Sequence, residues 1–331
     1  MSDATMKAIV CDAFEEPDML AVRSGVAVPQ AAPGHLLIRV HVAGVSFVDM
    51  LIASGRYQFK PQLPFTPGSE FAGVVEQVGE GVEGFAPGDR VVASAFTGGF
   101  SQYALAAAQS VTRLPDAIDF ETATVFRVNY TTALFALKQR GLLKPGETLL
   151  VLGAGGGIGI AAIEIGKLMG ATVIAAASTE EKRVYALSRG ADHALDPQAD
   201  NFRDELKRLT GGKGVDVIVD PVGGDLSELA FRSIAWEGRH LVIGYAAGSI
   251  PKLPLNLTLL KGAEVRGVDI AQVPRRAPAT GQENLAQLFG WIVEGKLKPE
   301  PGVVYPFEKA GEAMAALMER RALGKLLLRI D

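Results

Sequence analysis

The sequence predicts an α/β protein of two domains: a β-rich domain drawn from both ends of the chain and, between them, a doubly wound parallel sheet. Three observations predict it. Residues 1 to about 125 read as short β-like segments separated by clusters of Pro, Gly and Asp. From about residue 127 apolar runs alternate with helical stretches, the order of βαβ units. Those runs are continuously apolar, as expected of strands covered by helices on both faces.

Taken in order, the first domain offers strands at Lys7–Val10, Leu36–Val42, Gly73–Val78 and Arg90–Ala95, an irregular, barrel-like set. The sheet offers Thr148–Leu152, Thr172–Ala177, Val215–Asp220, His240–Gly244 and Glu264–Val268. Two amphipathic helices, Gln282–Glu294 and Glu308–Arg320, and a closing strand, Lys325–Ile330, are expected to return to the first domain. The expected division is 1–126 with 268–331, and 127–267. At 331 residues, 48% of them hydrophobic, both parts can bury a core.

Composition closes several routes. A net charge of −4 without any Lys/Arg block excludes a nucleic-acid partner. Cys11 stands alone, so the chain forms no internal disulfide and no multi-thiolate zinc site. The opening MSDATMKAIV, with an early Asp3, does not read as a signal peptide. Between Glu147 and Glu164 sixteen uncharged residues include five glycines, which is shorter than the roughly 18 apolar residues a membrane span needs. A cytoplasmic protein with no membrane partner is expected.

The strongest local signal is the order of turn, strand, loop and helix that begins at Lys144-Pro145-Gly146. Thr148–Leu152 is followed by GAGGGIG at 153–159 and then by the apolar helix Ile158–Leu168. A dinucleotide site needs small residues where the chain turns sharply and where backbone meets pyrophosphate, and a helix N-terminus whose free N–H groups face the anion. Ala154, Gly155, Gly156, Gly157, Ile158 and Gly159 supply that loop. Counted from Ala154, the six-residue fingerprint places Gly156 and Gly159 correctly, with alanine in the first slot. The alternative is a turn that only packs helix on strand.

An acid at the end of the next strand would select NAD. Here the strand ends Ala175-Ala176-Ala177-Ser178. Ser178 and Thr179 offer hydrogen bonds to a 2′-phosphate, and Lys182 and Arg183 offer charge, so NADPH is favoured over NADH. Glu180 and Glu181 argue the other way, although Glu181 stands three residues after Ser178, the spacing of a helix-capping box.

GVSFVDMLIASGRYQ at 44–58, PFTPGSEFAGVVEQVGEGVEGFAPGDRV at 64–91 and GAGGGIG at 153–159 together resemble the medium-chain dehydrogenase/reductase superfamily, in its zinc-free quinone oxidoreductase (zeta-crystallin-like) branch. The likeness runs from Met6 to Leu328. It implies a GroES-like catalytic domain, a Rossmann nucleotide domain, a cleft where they meet, and a homodimer paired along an edge strand near Glu264–Asp269. In the zinc alcohol dehydrogenases of the superfamily a Cys and a His hold the metal where this chain has Ser46 and Ser69. The histidines His35, His41, His193 and His240 lack the close spacing of a zinc site. No metal is expected.

Without a Lewis acid the acceptor must already be activated by conjugation, as in a quinone or an α,β-unsaturated carbonyl. The resemblance puts Ser46, Asp49 and Tyr57 on the substrate side, and Tyr130 and Thr131 on the nicotinamide side. Tyr57 either donates its phenolic proton or packs at a turn. Asp49 either orients its neighbours or forms a buried ion pair with Arg56 or another base, and Thr131 either meets cofactor or caps a helix.

Loops at the carboxyl ends of strands, Pro221–Gly224, Gly244–Ala247 and Asp269–Ala271, add Val222, Gly244, Tyr245, Asp269 and Ile270 as cofactor contacts. Gly324-Lys325 resembles a family pattern near the nicotinamide or phosphate, or else Lys325 only opens the last strand. Two other readings stand beside the leading one: an enoyl-thioester reductase, with Arg275-Arg276 as a phosphate entry patch, and a non-catalytic nucleotide-binding protein.

Overall fold

A computed structural model of the chain describes residues 4–16 and 20–330. Its contacts divide it into two units, Met1–Val128 with Pro299–Asp331, and Asn129–Lys298.

The first unit opens with strands β1 (Thr5–Ile9), β2 (Val22–Ala27), β3 (His35–Val45), β4 (Glu70–Val78), β5 (Arg90–Ser94), β6 (Tyr103–Ala107) and β7 (Val111–Arg113), and with helices α1 (Phe47–Ala53) and α2 (Phe120–Leu134). The division falls inside α2. The second unit carries β8 (Thr148–Leu152), α3 (Gly157–Leu168), β9 (Thr172–Ala176), α4 (Glu180–Ser188), β10 (His193–Leu195), α5 (Phe202–Leu209), β11 (Val215–Asp220), α6 (Gly224–Phe231), β12 (Ile234–Val242), α7 (Asn256–Lys261), β13 (Glu264–Gly267), α8 (Val273–Arg276) and α9 (Pro278–Val293). The chain then returns to the first unit with β14 (Pro301–Pro306), α10 (Ala310–Met318) and β15 (Lys325–Arg329).

In the first unit a sheet runs in the order β14-β15-β3-β4-β5-β7, with β6 also on β3. The end of the chain is stitched antiparallel to its beginning, Leu327 opposite Gly44. Ile38, Phe71, Phe100, Leu326 and Leu328 bury their side chains in one core, each worth about 1.5–3 kcal/mol.

The second sheet is parallel throughout, β10-β9-β8-β11-β12-β13. Leu150 of β8 faces Ile174 of β9 and Ile218 of β11, all buried. The expected strands Thr148–Leu152 and Val215–Asp220 coincide with β8 and β11. β12 begins at Ile234, earlier than expected, because the polar stretch Glu237–Arg239, with Glu237 at φ 58°, interrupts the apolar run.

Residues 268–298 group with the second unit, where the sequence reading placed them in the first. Asn284 of α9 exchanges two hydrogen bonds with Gln139, at 2.9 and 3.0 Å. The Arg189 guanidinium donates to the Lys298 carbonyl at 2.6 Å. Amphipathicity announced the helix, but these partners decide where it packs. No helix among the described residues is long and apolar enough to cross a membrane.

Candidate functional site

β8 ends at Leu152 and the chain turns through Gly153, at φ 60°, into α3. The Gly156 N–H closes the turn on the Gly153 carbonyl at 3.0 Å. A Cβ on Gly159 would lie 2.5 Å from that same carbonyl oxygen, so the helix packs on the turn at a distance only glycine permits. Gly156 is different. It is the N-cap of a twelve-residue helix, no side chain caps it, and an added Cβ would meet only the Gly153 oxygen, at 3.5 Å. This open cradle, with unsatisfied N–H groups and the positive helix end behind it, fits a pyrophosphate.

Ala154 is buried and donates to the Ala176 carbonyl, and Ile158 continues the first turn of α3. Beyond β9, the cap of α4 is Thr179, whose hydroxyl accepts from the Lys182 N–H at 3.3 Å. The cap expected at Ser178 therefore falls one residue later, as a one-way cap in place of the box with Glu181. Ser178 and Glu181 are both exposed. The stem of Lys182 lies over Gly155, its Cγ 2.7 Å from where a Cβ would sit. Arg183 is held elsewhere, donating to Ala177 O at 2.9 Å and pairing with Asp196 at 3.1 Å.

Two of the other expected loops converge on this turn. Val222 reaches within 2.8 Å of a Cβ on Gly153. The N–H groups of Ala246 and Ala247 donate to Pro221 and Val222. Tyr245 is half exposed, with its ring against Gly223, and the Gly244 N–H approaches the Asp220 carbonyl at 3.4 Å.

The residue that fixes this arrangement, missed in the sequence, is Asp220. Its Oδ1 accepts from Val222 and Gly223, both at 2.9 Å. Its Oδ2 accepts from Ser227 and from His240 Nε2. Burial pushes the Asp220 carboxyl up, but the bonds from His240, Gly223 and Ser227 outweigh it and hold it below the ordinary carboxylate value. An acid closing an apolar strand just before Pro-Val-Gly-Gly was the available signal. Asp269 accepts from Ala271 N at 3.1 Å within its own turn, with Ile270 half-buried beside it.

Tyr130, expected on the nicotinamide side, is packed in the interior of the second unit. It is buried, and its hydroxyl donates to Glu164 of α3 at 2.8 Å. Arg189 also bonds that carboxylate. Burial and the Glu164 charge keep the Tyr130 phenol firmly protonated. Thr131 is buried on the same helix.

In the first unit, Ser46 caps α1 in a reciprocal box with Asp49. Asp49 Oδ2 accepts from the Ser46 backbone at 2.8 Å and from its hydroxyl at 2.7 Å. Ser69 joins at 3.3 Å from the Ser46 hydroxyl. Asp49 is buried, its Oδ1 has no hydrogen-bond partner, and burial raises its carboxyl against the pull of these bonds. Arg56 pairs with Glu16, not with Asp49. Tyr57 is half-buried against the core.

For Lys325 two readings are open in the sequence, a place near the cofactor and the start of the last strand. It opens β15 and pairs with Glu70 at 2.6 Å, both buried. Glu70 in turn accepts from the Val128 N–H at 2.7 Å. Arg275 and Arg276 are exposed and reach Gln272. His41 stacks on Phe120, and no three His, Cys, Asp or Glu among the described residues are grouped to hold a metal ion.

A GroES-like unit with a buried polar cluster, followed by a parallel sheet with an open glycine turn, defines a dinucleotide-type oxidoreductase. Comparison with known proteins agrees with that class. The model of the alcohol dehydrogenase GroES-like domain matches residues 32–116, and that of the zinc-binding dehydrogenase family matches 157–288. Human quinone oxidoreductase is 36% identical over 325 residues, covering 98% of this chain and 97% of that one. Rat quinone oxidoreductase-like protein 2 is 35% identical over 323 residues, covering 97% and 91%.

Among solved structures, the quinone oxidoreductase of Pseudomonas syringae pv. Tomato superposes with a TM-score of 0.90 at 29% identity, covering 98% of this chain and 99% of that one. A mycobacterial protein solved in complex with NADPH superposes at 0.91 with 30% identity and the same coverage. The chain belongs to the medium-chain dehydrogenase/reductase superfamily, in its quinone oxidoreductase-like branch, and is an oxidoreductase.

Proposed function

We propose that the protein is an NADPH-dependent, zinc-independent reductase of quinones or α,β-unsaturated carbonyl compounds. The observation that carries the reading is the open cradle at Gly156, with Lys182 beside it and no carboxylate closing β9. The relative solved with NADPH supports the choice of cofactor. Gly156 and the first turn of α3 would hold the pyrophosphate. Ser178 and Lys182 would take the 2′-phosphate, and the loops steadied by Asp220 would border the rest. When bound, the dihydronicotinamide supplies a hydride.

The donor set at residues 46, 49 and 69 does not suit zinc. Two neutral serine hydroxyls stand where thiolate or imidazole is needed, leaving Asp49 as the one anionic ligand. The chain's own contribution to the reduction is a proton and a hydrogen bond at the acceptor oxygen. Tyr57 is the proposed donor there, and the Ser46–Asp49 box orients the segment that carries it.

Purified protein treated with a chelator is expected to oxidise NADPH with quinones and enones and to prefer NADPH to NADH. Tyr57→Phe should lower kcat by about 10²-fold or more. Failure with every acceptor would sink the reading, and an unchanged rate in the variant would return Tyr57 to packing.

The proposed partner is a second copy of the chain. β13 ends the sheet, and apolar side chains crowd its neighbourhood: Leu259 is 81% exposed and Trp236 68%, with Val265 on the strand itself. Such an edge invites pairing with its own kind. Light scattering is expected to give the mass of a dimer, and Leu259→Glu with Val265→Lys the mass of a monomer. A monomeric wild type would refute the pairing.

A further inference from the structure

Asn129 opens the second unit on α2 and stands beside the glycine turn. The residue is 6% exposed, and its Nδ2 is buried without a hydrogen-bond partner. That nitrogen lies 2.4 Å from where a Cβ on Gly157 would stand. Gly157 is the first residue of α3, next to the open N-cap at Gly156. A buried amide donor left unpaired costs about 1–3 kcal/mol, and here the deficit sits against an anion cradle. Three residues along the same face of α2, the buried Thr132 hydroxyl is likewise unpaired.

We propose that Asn129 is a cofactor-binding residue, its Nδ2 donating to a pyrophosphate oxygen of the dinucleotide held at the start of α3. This rests on the dinucleotide reading above and adds to it a donor from outside the glycine loop. It also gives Gly157 a reason of its own: any side chain there would displace the amide. The backbone N–H groups of α3 approach the anion along the helix axis, and Asn129 adds a neutral donor from a second helix. An uncharged amide suits this place, since a buried cation would need a partner whenever the site stands empty.

The test is Asn129→Leu, which removes the amide and keeps the branching and the number of side-chain heavy atoms. Binding of NADPH and of adenosine 2′-monophosphate, which lacks the pyrophosphate, is measured by calorimetry alongside the Tm of the free protein. NADPH Kd is expected to rise about tenfold to a hundredfold, the range of a hydrogen bond to a charged group. The Kd of adenosine 2′-monophosphate should not move, and the Tm of the free protein should hold or rise, because an unpaired polar group has gone. A purely structural amide would instead lower the Tm.

Asn129→Asp, with almost the same shape, should weaken NADPH further by placing a like charge beside the phosphates. If the wild type binds NADPH and both variants bind it equally well, the assignment of Asn129 is overturned and the cofactor reading survives. An equal loss for both ligands would also overturn it, by showing a general disturbance of the site. If the wild type binds neither NADPH nor NADH, the cofactor reading itself fails.

Discussion

Lys325→Met is expected to lower the stability of the protein by about 3–5 kcal/mol, the usual result of removing one partner from a buried ion pair. Lys325 and Glu70 are 5% and 0% exposed, and their charged atoms stand 2.6 Å apart. Methionine matches the stem of lysine but takes from the buried Glu70 carboxylate its nearest cation, leaving it the Val128 N–H and the charge of Arg127. Burial already pushes that carboxyl above its ordinary value, with Lys325 as the main opposing influence. Without Lys325 the shift grows.

The sign of the pH effect follows. A carboxyl whose folded value lies above its unfolded one penalises the fold at high pH and releases the penalty as pH falls. The deficit of Lys325→Met should therefore shrink as the solution is acidified. Adding Glu70→Gln should recover most of the loss, giving a large coupling in a double-mutant cycle followed by urea unfolding. A Lys325→Met protein as stable as wild type but poor in NADPH affinity would reverse the assignment and return Lys325 to the cofactor.

The same residue shows where sequence reasoning stops. Gly324-Lys325 is a local pattern, whereas its partner Glu70 lies far away in sequence, and the pairing of β15 with β3 and of β3 with β4 brings the two together. The partner of the Tyr130 hydroxyl, Glu164 on the next helix, was hidden for the same reason. By contrast, β8, β11 and the turn after β8 were legible because their signals are local: continuous apolar runs, glycines, and a helix directly behind.

Between Ser178 and Thr179 the choice of cap turned on one residue of backbone phase, which composition does not encode. Asn129 carried a faint mark, an amide between Val128 and Tyr130 in an apolar stretch. What made it meaningful was its distance to Gly157. The allegiance of α9 was hidden in the same way, in the bonds of Asn284 to Gln139.

The largest functional effect is expected at Gly156. Its backbone, at φ −91° and ψ 170°, is extended and accepts any residue, and the space beside it is open. Gly156→Asp should therefore fold, and should gain from a few tenths to about 1 kcal/mol, because an aspartate at an N-cap pairs with free N–H groups and with the positive helix end. The same carboxylate then occupies the anion's place. At about 4 Å and an effective dielectric near 20, its repulsion of a phosphate charge is about 4 kcal/mol, so NADPH affinity should fall about 10²- to 10³-fold.

Gly156→Asn separates charge from bulk. It caps as well and carries no charge, so it should retain far more affinity, and the gap between the two variants should narrow as salt is added. A Gly156→Asp protein that binds NADPH as the wild type does would show that the anion is held elsewhere. The raised Tm of the free protein, set against the lost affinity, is the signature of a helix end left uncapped because its cap is the cofactor.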